Sequence, residues 1–336
     1  MATISDVAKM AGVSVATVSR VINGVTTVSS EGAAAVRRAV EQLNYQPNSI
    51  GRTLRTAETH RIIVLQPSIA NPFYSRVVRG IDSAAREAGY QIMLCDTDND
   101  PHRERTYLGM LDSKVADGAI MITPTGAPID YKDIANRHPL IHCCEYYDDD
   151  TLSSATMDNV TAAHDAVCHL IDTGHRRIGF VSAYNKFLTV EQRFRGYKMA
   201  LDEAGLPFDP RLYVDIGPIH DELIWDQSIL GAAVLAQMSN PPSAIFCSSD
   251  MVAIATIHAI KANGLRVPED ISVMGFDDID MARLFDPGLS TVYIPKKQIG
   301  QEAVRLLLRR REDKNCPYER VIVKHQIVVR ESSISI

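Results

Sequence analysis

Thr3-Ile4-Ser5-Asp6-Val7-Ala8-Lys9-Met10-Ala11-Gly12-Val13-Ser14-Val15-Ala16-Thr17-Val18-Ser19-Arg20-Val21-Ile22-Asn23 packs two helical patterns into one short stretch. Apolar residues at Ile4, Val7, Ala8 and Ala11 recur with the helical period. Gly12 closes the first helix, because glycine enters the left-handed region without strain. Ser14 caps a second helix from Val15 to about Asn23 by accepting from its free backbone N–H groups. Ala8, Ala11, Gly12, Val13 and Val18 are small enough to let two short helices meet at a steep angle, the pattern of a helix-turn-helix. A third helix opens at Val28-Ser29-Ser30, carries an apolar stripe at Val36, Val40 and Leu43, and is expected to stop at Pro47.

Outward from this head the period changes. Residues 48–56 form an amphipathic segment too short to hold a helix alone. From Arg61 the chain alternates apolar strands with amphipathic helices. Strands are read at Ile62–Leu65, Gln91–Cys95, Gly118–Ile122, Arg177–Ser182, Ala244–Cys247 and Ile271–Gly275. Helices lie between them, at Phe73–Ala88, Arg103–Val115, 160–173, 190–204 and Met251–Asn263. Strand–helix alternation predicts the α/β class with doubly wound parallel sheets. Roughly 275 residues is generous for one such sheet, so two subdomains with a cleft are expected. The expected division is a helical domain over 1–46, a connecting segment over 47–59, and a large domain over 60–336. Within the large domain, one half takes 60–158 and 290–318, the other 159–289 and 319–336.

Composition narrows the function classes. The chain has 336 residues, 46% apolar and 23% charged, which is ordinary for a globular protein. No apolar run approaches a membrane span, and the first residues lack the basic and apolar regions of a secretory signal, so no membrane partner and a cytoplasmic location are expected. The six cysteines at 95, 143, 144, 168, 247 and 316 have neither disulfide-framework nor zinc spacing. The Asp96-x-Asp98-x-Asp100 run starts like a calcium loop but has Pro101 and Tyr107 where glycine and glutamate are needed. His138 and His142 flank Pro139 and do not share a helix face. No nucleophile elbow, phosphate loop or zinc-protease motif occurs, so no metal, cofactor or catalysis is expected.

Net charge is −6 overall, but residues 1–60 carry six Lys/Arg against four acids, which leaves −8 for the rest. A basic head on an acidic body suits one end touching phosphate. On the second helix Val15, Ala16 and Arg20 are expected to point outward, and Val18 and Val21 inward. Arg20 can donate twice to a guanine edge, while Val15 and Ala16 suit thymine methyl groups. Ser14, Thr17 and Asn23 suit phosphate. The same spacing also describes a small helical cap with a solvated Arg20.

The head, from Thr3-Ile4-x-Asp6-Val7-Ala8 to Ser19-Arg20-Val21-Ile22-Asn23, resembles the lactose-repressor (LacI/GalR) family of transcription regulators. Tyr45-x-Pro47-Asn48 and Arg52-x-Leu54-Arg55 resemble that family's hinge. The likeness continues through Asn71-Pro72-Phe73-Tyr74, Gly174-His175-Arg176-Arg177-Ile178-Gly179, Arg193-Phe194-Arg195-Gly196-Tyr197 and Gly275-Phe276-Asp277-Asp278. Asp158-Asn159-Val160-Thr161-Ala162-Ala163 and Cys143-Cys144-Glu145-Tyr146 look closest to the cytidine and purine repressor branch.

The resemblance implies a repressor of operator DNA whose large domain has two periplasmic-binding-protein-type subdomains enclosing a sugar or nucleoside effector. It places Leu54 in the minor groove, with Arg55 among the DNA contacts. It assigns effector contacts to Asn71, Phe73, Tyr74, Arg193, Ser249, Asp277 and Tyr293. Phe73 also fits a helix core, and Asp277 a helix cap. Gly51 stands where the family has alanine, Gly32-Ala33 where it has Thr-Arg, and Cys144 where relatives often carry a polar ligand contact. A head this small reads one half-site, and no leucine heptad follows Glu331, so a homodimer is expected. The alternatives are a solute-binding protein, or an α/β enzyme without DNA control.

Overall fold

The computed structural model describes residues 2–22, 28–45, 58–125, 128–146, 152–182, 187–217 and 223–336. Two compact units divide at Thr59/His60.

In the first unit, α1 (Ile4–Ala11), α2 (Val15–Ile22) and α3 (Ser30–Gln42) enclose a core of Val7, Ala8, Val18, Val36 and Ala39. Thr3 and Asp6 build a reciprocal capping box: the Asp6 N–H donates to Thr3 Oγ1 at 3.3 Å and the Thr3 N–H to Asp6 Oδ2 at 2.8 Å. Gly12 takes φ 67° and turns the chain into α2. Ser29 caps α3 through the Gly32 N–H at 3.3 Å. The third helix ends at Gln42, ahead of the expected stop at Pro47. Asn44 breaks it by entering the left-handed region at φ 43°, and the Tyr45 N–H turns back to the Val40 carbonyl at 2.9 Å.

The second unit holds two parallel sheets. The first has six strands: β1 (Arg61–Gln66), β2 (Gln91–Asp96), β3 (Gly118–Ile122), β4 (Leu140–Cys143), β5 (Ser153–Met157) and β11 (Arg320–Val323), in the order β11-β5-β4-β3-β1-β2. The second contains β6 (Ile178–Ser182), β7 (Tyr213–Asp215), β8 (Ala244–Cys247) and β9 (Ser272–Met274), in the order β7-β6-β8-β9. Strands β1, β3, β4 and β8 are mainly apolar and almost wholly buried because helices cover both faces of each sheet, and β5, Ser153–Met157, is fully buried despite its hydroxyl side chains. Helix α4 (Pro72–Glu87) packs beside the first sheet against α11 (Lys296–Glu312), while α7 (Asn159–Asp172), α8 (Leu188–Glu203), α9 (Ile224–Ala236) and α10 (Asp250–Ala262) serve the second.

The two-sheet expectation holds, with one departure and one displaced boundary. A small antiparallel pair, β10 (Thr291–Tyr293) with β12 (Gln326–Val328), joins the parallel sheets. Arg320–Val323 pairs in parallel with Ser154–Met157, so the last return to the second half falls after Val323 and not at 319. Ladder hydrogen bonds decide that point, and no glycine or proline marks it in the sequence.

Candidate functional site

In the head, Val15 is 44% exposed, and Ala16, Ser14 and Arg20 are exposed as well, while Val18 is fully buried. Ser14 is engaged locally: its Oγ accepts from the Thr17 N–H at 3.1 Å and lies 2.9 Å from Thr17 Oγ1. The face formed by Val15 and Ala16 at the start of α2 and Arg20 in its last turn is thus presented to solvent by a capped, glycine-turned helix pair. Asn23, Leu54 and Arg55 lie outside the described residues.

In the second unit, a cavity with about 770 Å³ of empty volume, part of it open to solvent, lies between the two sheets. It gathers the segments that follow strand ends, where open α/β sheets hold their ligands. Asn71, Phe73 and Tyr74 come after β1, Ser249 after β8, Asp277 after β9, and Arg193 from α8. Six of the seven expected effector residues therefore meet there. Tyr293 does not: its backbone bridges Asp277, and its side chain lines an adjoining groove with Arg76, Asp280 and Lys296. Side chains alternate along an extended segment, so Ile294 faces the cavity in its place.

Arg193 is the centre of the polar wall. Its Nε donates to Asn159 Oδ1 at 3.1 Å, its Nη1 donates to the Ser248 carbonyl, and its Nη2 stands 3.6 Å from Asp277 Oδ1. The guanidinium also lies 3.8 Å over the Phe276 ring. These contacts leave it little freedom, so its remaining donor edge is pre-aimed.

Asp277 is the other half of the wall. It is no helix cap: it sits at φ 117°, a strained value for any residue but glycine. Lys296 Nζ steadies that turn by donating to the carbonyls of Asp277 and Asp278. Buried Asp250 steadies its far side, accepting from the Ile279 N–H at 2.8 Å and from the Thr291 hydroxyl. Burial pushes the Asp277 carboxyl up to about 6, against the opposing pull of Arg193 and Lys296.

Phe73 and Tyr74 stand edge to face with centroids 5.5 Å apart. Phe73 is 8% exposed, so it serves the helix core and the cavity wall together. Two expected contacts double as helix caps: Asn71 Oδ1 accepts from the Phe73 N–H at 2.9 Å, and Ser249 Oγ from the Val252 N–H at 3.3 Å. The α8 N-terminus has no cap of its own. Glu145, arriving from the first sheet, accepts from the Leu188 and Thr189 N–H groups at 3.2 and 2.9 Å.

The sequence reading missed Thr123, Met157, Asn159, Phe187 and Thr189, all of which line the cavity. Thr123 and Met157 lie at the ends of β3 and β5, so the strand-end rule was their signal. Phe187 and Thr189 carried none.

A capped helix-turn-helix and a two-sheet domain closed around a polar cavity define a ligand-responsive, DNA-binding transcription regulator. The sequence pattern described as bacterial regulatory proteins of the lacI family matches residues 3–48, and that of a periplasmic binding protein-like domain matches residues 167–333. The HTH-type transcriptional repressor PurR of Photobacterium profundum is 34% identical over 336 residues, covering 99% of this chain and 98% of its own. The ribose operon repressor of Haemophilus influenzae is also 34% identical and is covered end to end, 100% of each chain. Among solved structures, the complex of the transcriptional regulator CelR with cellobiose has a TM-score of 0.74 at 28% identity, covering 99% of this chain and 100% of that one. The chain belongs to the lacI family of bacterial regulatory proteins.

Proposed function

We propose that the protein is a cytoplasmic repressor that binds a palindromic operator as a homodimer, and that a neutral sugar or nucleoside in the cavity sets its operator affinity. The observation that carries the effector class is the wall formed by Arg193 and Asp277. A guanidinium and a carboxylate side by side cancel in charge, which disfavours a phosphorylated ligand, yet together they offer donors and acceptors to neighbouring hydroxyl groups. Phe73 and Tyr74 supply ring faces, the usual complement of a few placed polar groups. The names of similar proteins fit this range: one is a ribose operon repressor, and a similar solved structure is a complex with cellobiose.

On the DNA side, Ser14, Thr17 and Asn23 contact phosphate, Val15, Ala16 and Arg20 read base edges, Leu54 enters the minor groove from the 47–59 hinge, and Arg55 adds a further DNA contact. Two apolar side chains wedged at the operator centre would unstack one step at a cost of a few kcal/mol, most easily a pyrimidine–purine step. Gly51 costs the hinge helix roughly 1 kcal/mol against alanine. The role is regulatory binding, with no catalytic step.

The test is operator mobility shift at one fixed salt concentration, with and without ribose, cytidine, adenosine and cellobiose. One of these neutral compounds should change operator affinity in the wild type and fail to do so in Asp277→Ala. An unchanged response in Asp277→Ala would remove the cavity from the mechanism.

A further inference from the structure

Behind the effector contacts two thiols lie together, one of them lining the cavity. Cys143 closes β4 and Cys144 follows it directly. Successive side chains of an extended strand point to opposite faces, which would hold adjacent cysteine sulfurs apart. Cys144 departs from the strand at φ 70°, and this turn swings its side chain back until the two Sγ atoms stand 4.0 Å apart. The turn is pinned to β5 on both sides: the Cys144 N–H donates to the Ala155 carbonyl at 2.9 Å, and the Thr156 hydroxyl donates to the Cys144 carbonyl at 2.7 Å. Cys144 lines the cavity and Cys143 lies fully buried beside it. Cys95, Cys168, Cys247 and Cys316 stand singly in the sequence.

We propose that Cys143 and Cys144 form a dithiol site, opening into the effector cavity, for organic trivalent arsenic. Sulfur is a soft donor and binds soft, thiol-seeking centres in preference to hard ones. The step balances without a redox partner. A hydrated monosubstituted arsenic(III) compound carries two hydroxyl groups on arsenic. Each leaves as water with one thiol proton, while an As–S bond forms to each cysteine, and arsenic stays trivalent. The state of the thiols favours this chemistry over oxidation. Contact with Cys143 and burial push the Cys144 thiol well up, and attack on a peroxide or disulfide needs a thiolate. Condensation removes both protons as water and needs no prior ionisation. Phe73, Tyr74 and Met157 line the same cavity and would face an aryl substituent. A bound arsenical would then occupy the volume assigned to the effector.

The experiment is intact-mass spectrometry of the full-length protein treated with phenylarsine oxide in excess glutathione, followed by 2,3-dimercaptopropanol. One adduct per chain should survive the monothiol and be removed by the dithiol. On proteolysis it should map to the peptide holding Cys143 and Cys144. C143S and C144S should each lose the glutathione-resistant adduct, while C247S should keep it. Failure of any adduct to survive glutathione, its persistence in C144S, or its mapping to another peptide would overturn the proposal. The wild-type peptide map decides the matter even if a serine variant fails to fold.

Discussion

Asp277 shows how one residue's setting shapes a response. Burial lifts its carboxyl to about 6, with Arg193 and Lys296 pulling the other way. The folded domain therefore holds this proton more tightly than an unfolded chain, whose carboxyl titrates near 3.8. The stability the protonated form contributes is present below that value and is lost as pH rises through about 6. Effector binding runs the opposite way, because a ligand hydroxyl donates best to the ionised carboxylate. Affinity for a responsive neutral effector should fall about tenfold between pH 7 and pH 5, where roughly one carboxyl in eleven remains ionised. Titration calorimetry across that range reads it, and Asp277→Asn should flatten the profile. A wild-type affinity that stays level from pH 7 to pH 5 would contradict this role. Arg20 sets the matching expectation on DNA. Arg20→Ala should cost about 1–3 kcal/mol per half-site and relax one base pair of preference in a selected-sequence binding experiment. Retention of the full preference would mean that another side chain reads that base. The exposed Arg20, Val15 and Ala16 were legible from spacing alone. The strained turn at Asp277 was not, because it arises from Lys296 and Asp250 closing on it from distant segments.

Between elements, the tightest constraint is the crossing of α4 and α11. A Cβ on Gly300 would stand 2.3 Å from the Val77 carbonyl oxygen, and one on Gly80 would stand 2.2 Å from the Lys297 carbonyl oxygen. Backbone meets backbone here, so no side chain can yield. Gly300→Ala should force the helices apart and destabilise the second unit by about 1–3 kcal/mol, the usual cost of overpacking. A melt followed by circular dichroism should show a lower midpoint, and an unchanged midpoint would mean that the crossing is looser than these distances imply. Helix α11 was not read from the sequence at all. Its buried residues Ile299, Gly300, Ala303, Val304, Leu306 and Leu307 recur at helical spacing, so its signal was present in the sequence. The sheet-forming runs β1, β3 and β8 were legible because burial on both faces leaves them uniformly apolar.

For the whole molecule the question is assembly. One head offers a single α2 to the major groove, so useful affinity needs two heads on half-sites about one helical turn, or a multiple of it, apart. Light scattering at micromolar concentration should give a dimer, and a single half-site should bind far more weakly than the palindrome. A monomer or tetramer, or equal affinity for the half-site, would count against the proposed assembly. No described helix is long and apolar enough to cross a membrane.

The sequence by itself determined the helix-turn-helix and the strand–helix alternation, because each is written in local signals: a cap, a glycine or a period; six residues of the cavity followed from the family resemblance carried by its motifs. Tertiary structure alone decided that Arg320–Val323 belongs to the first sheet, that Tyr293 faces away from the cavity, and that Glu145 caps a helix of the other half. It also brought the adjacent cysteines to the same side of the chain. These outcomes depend on hydrogen bonds and packing between segments far apart in the sequence, and no local pattern encodes them.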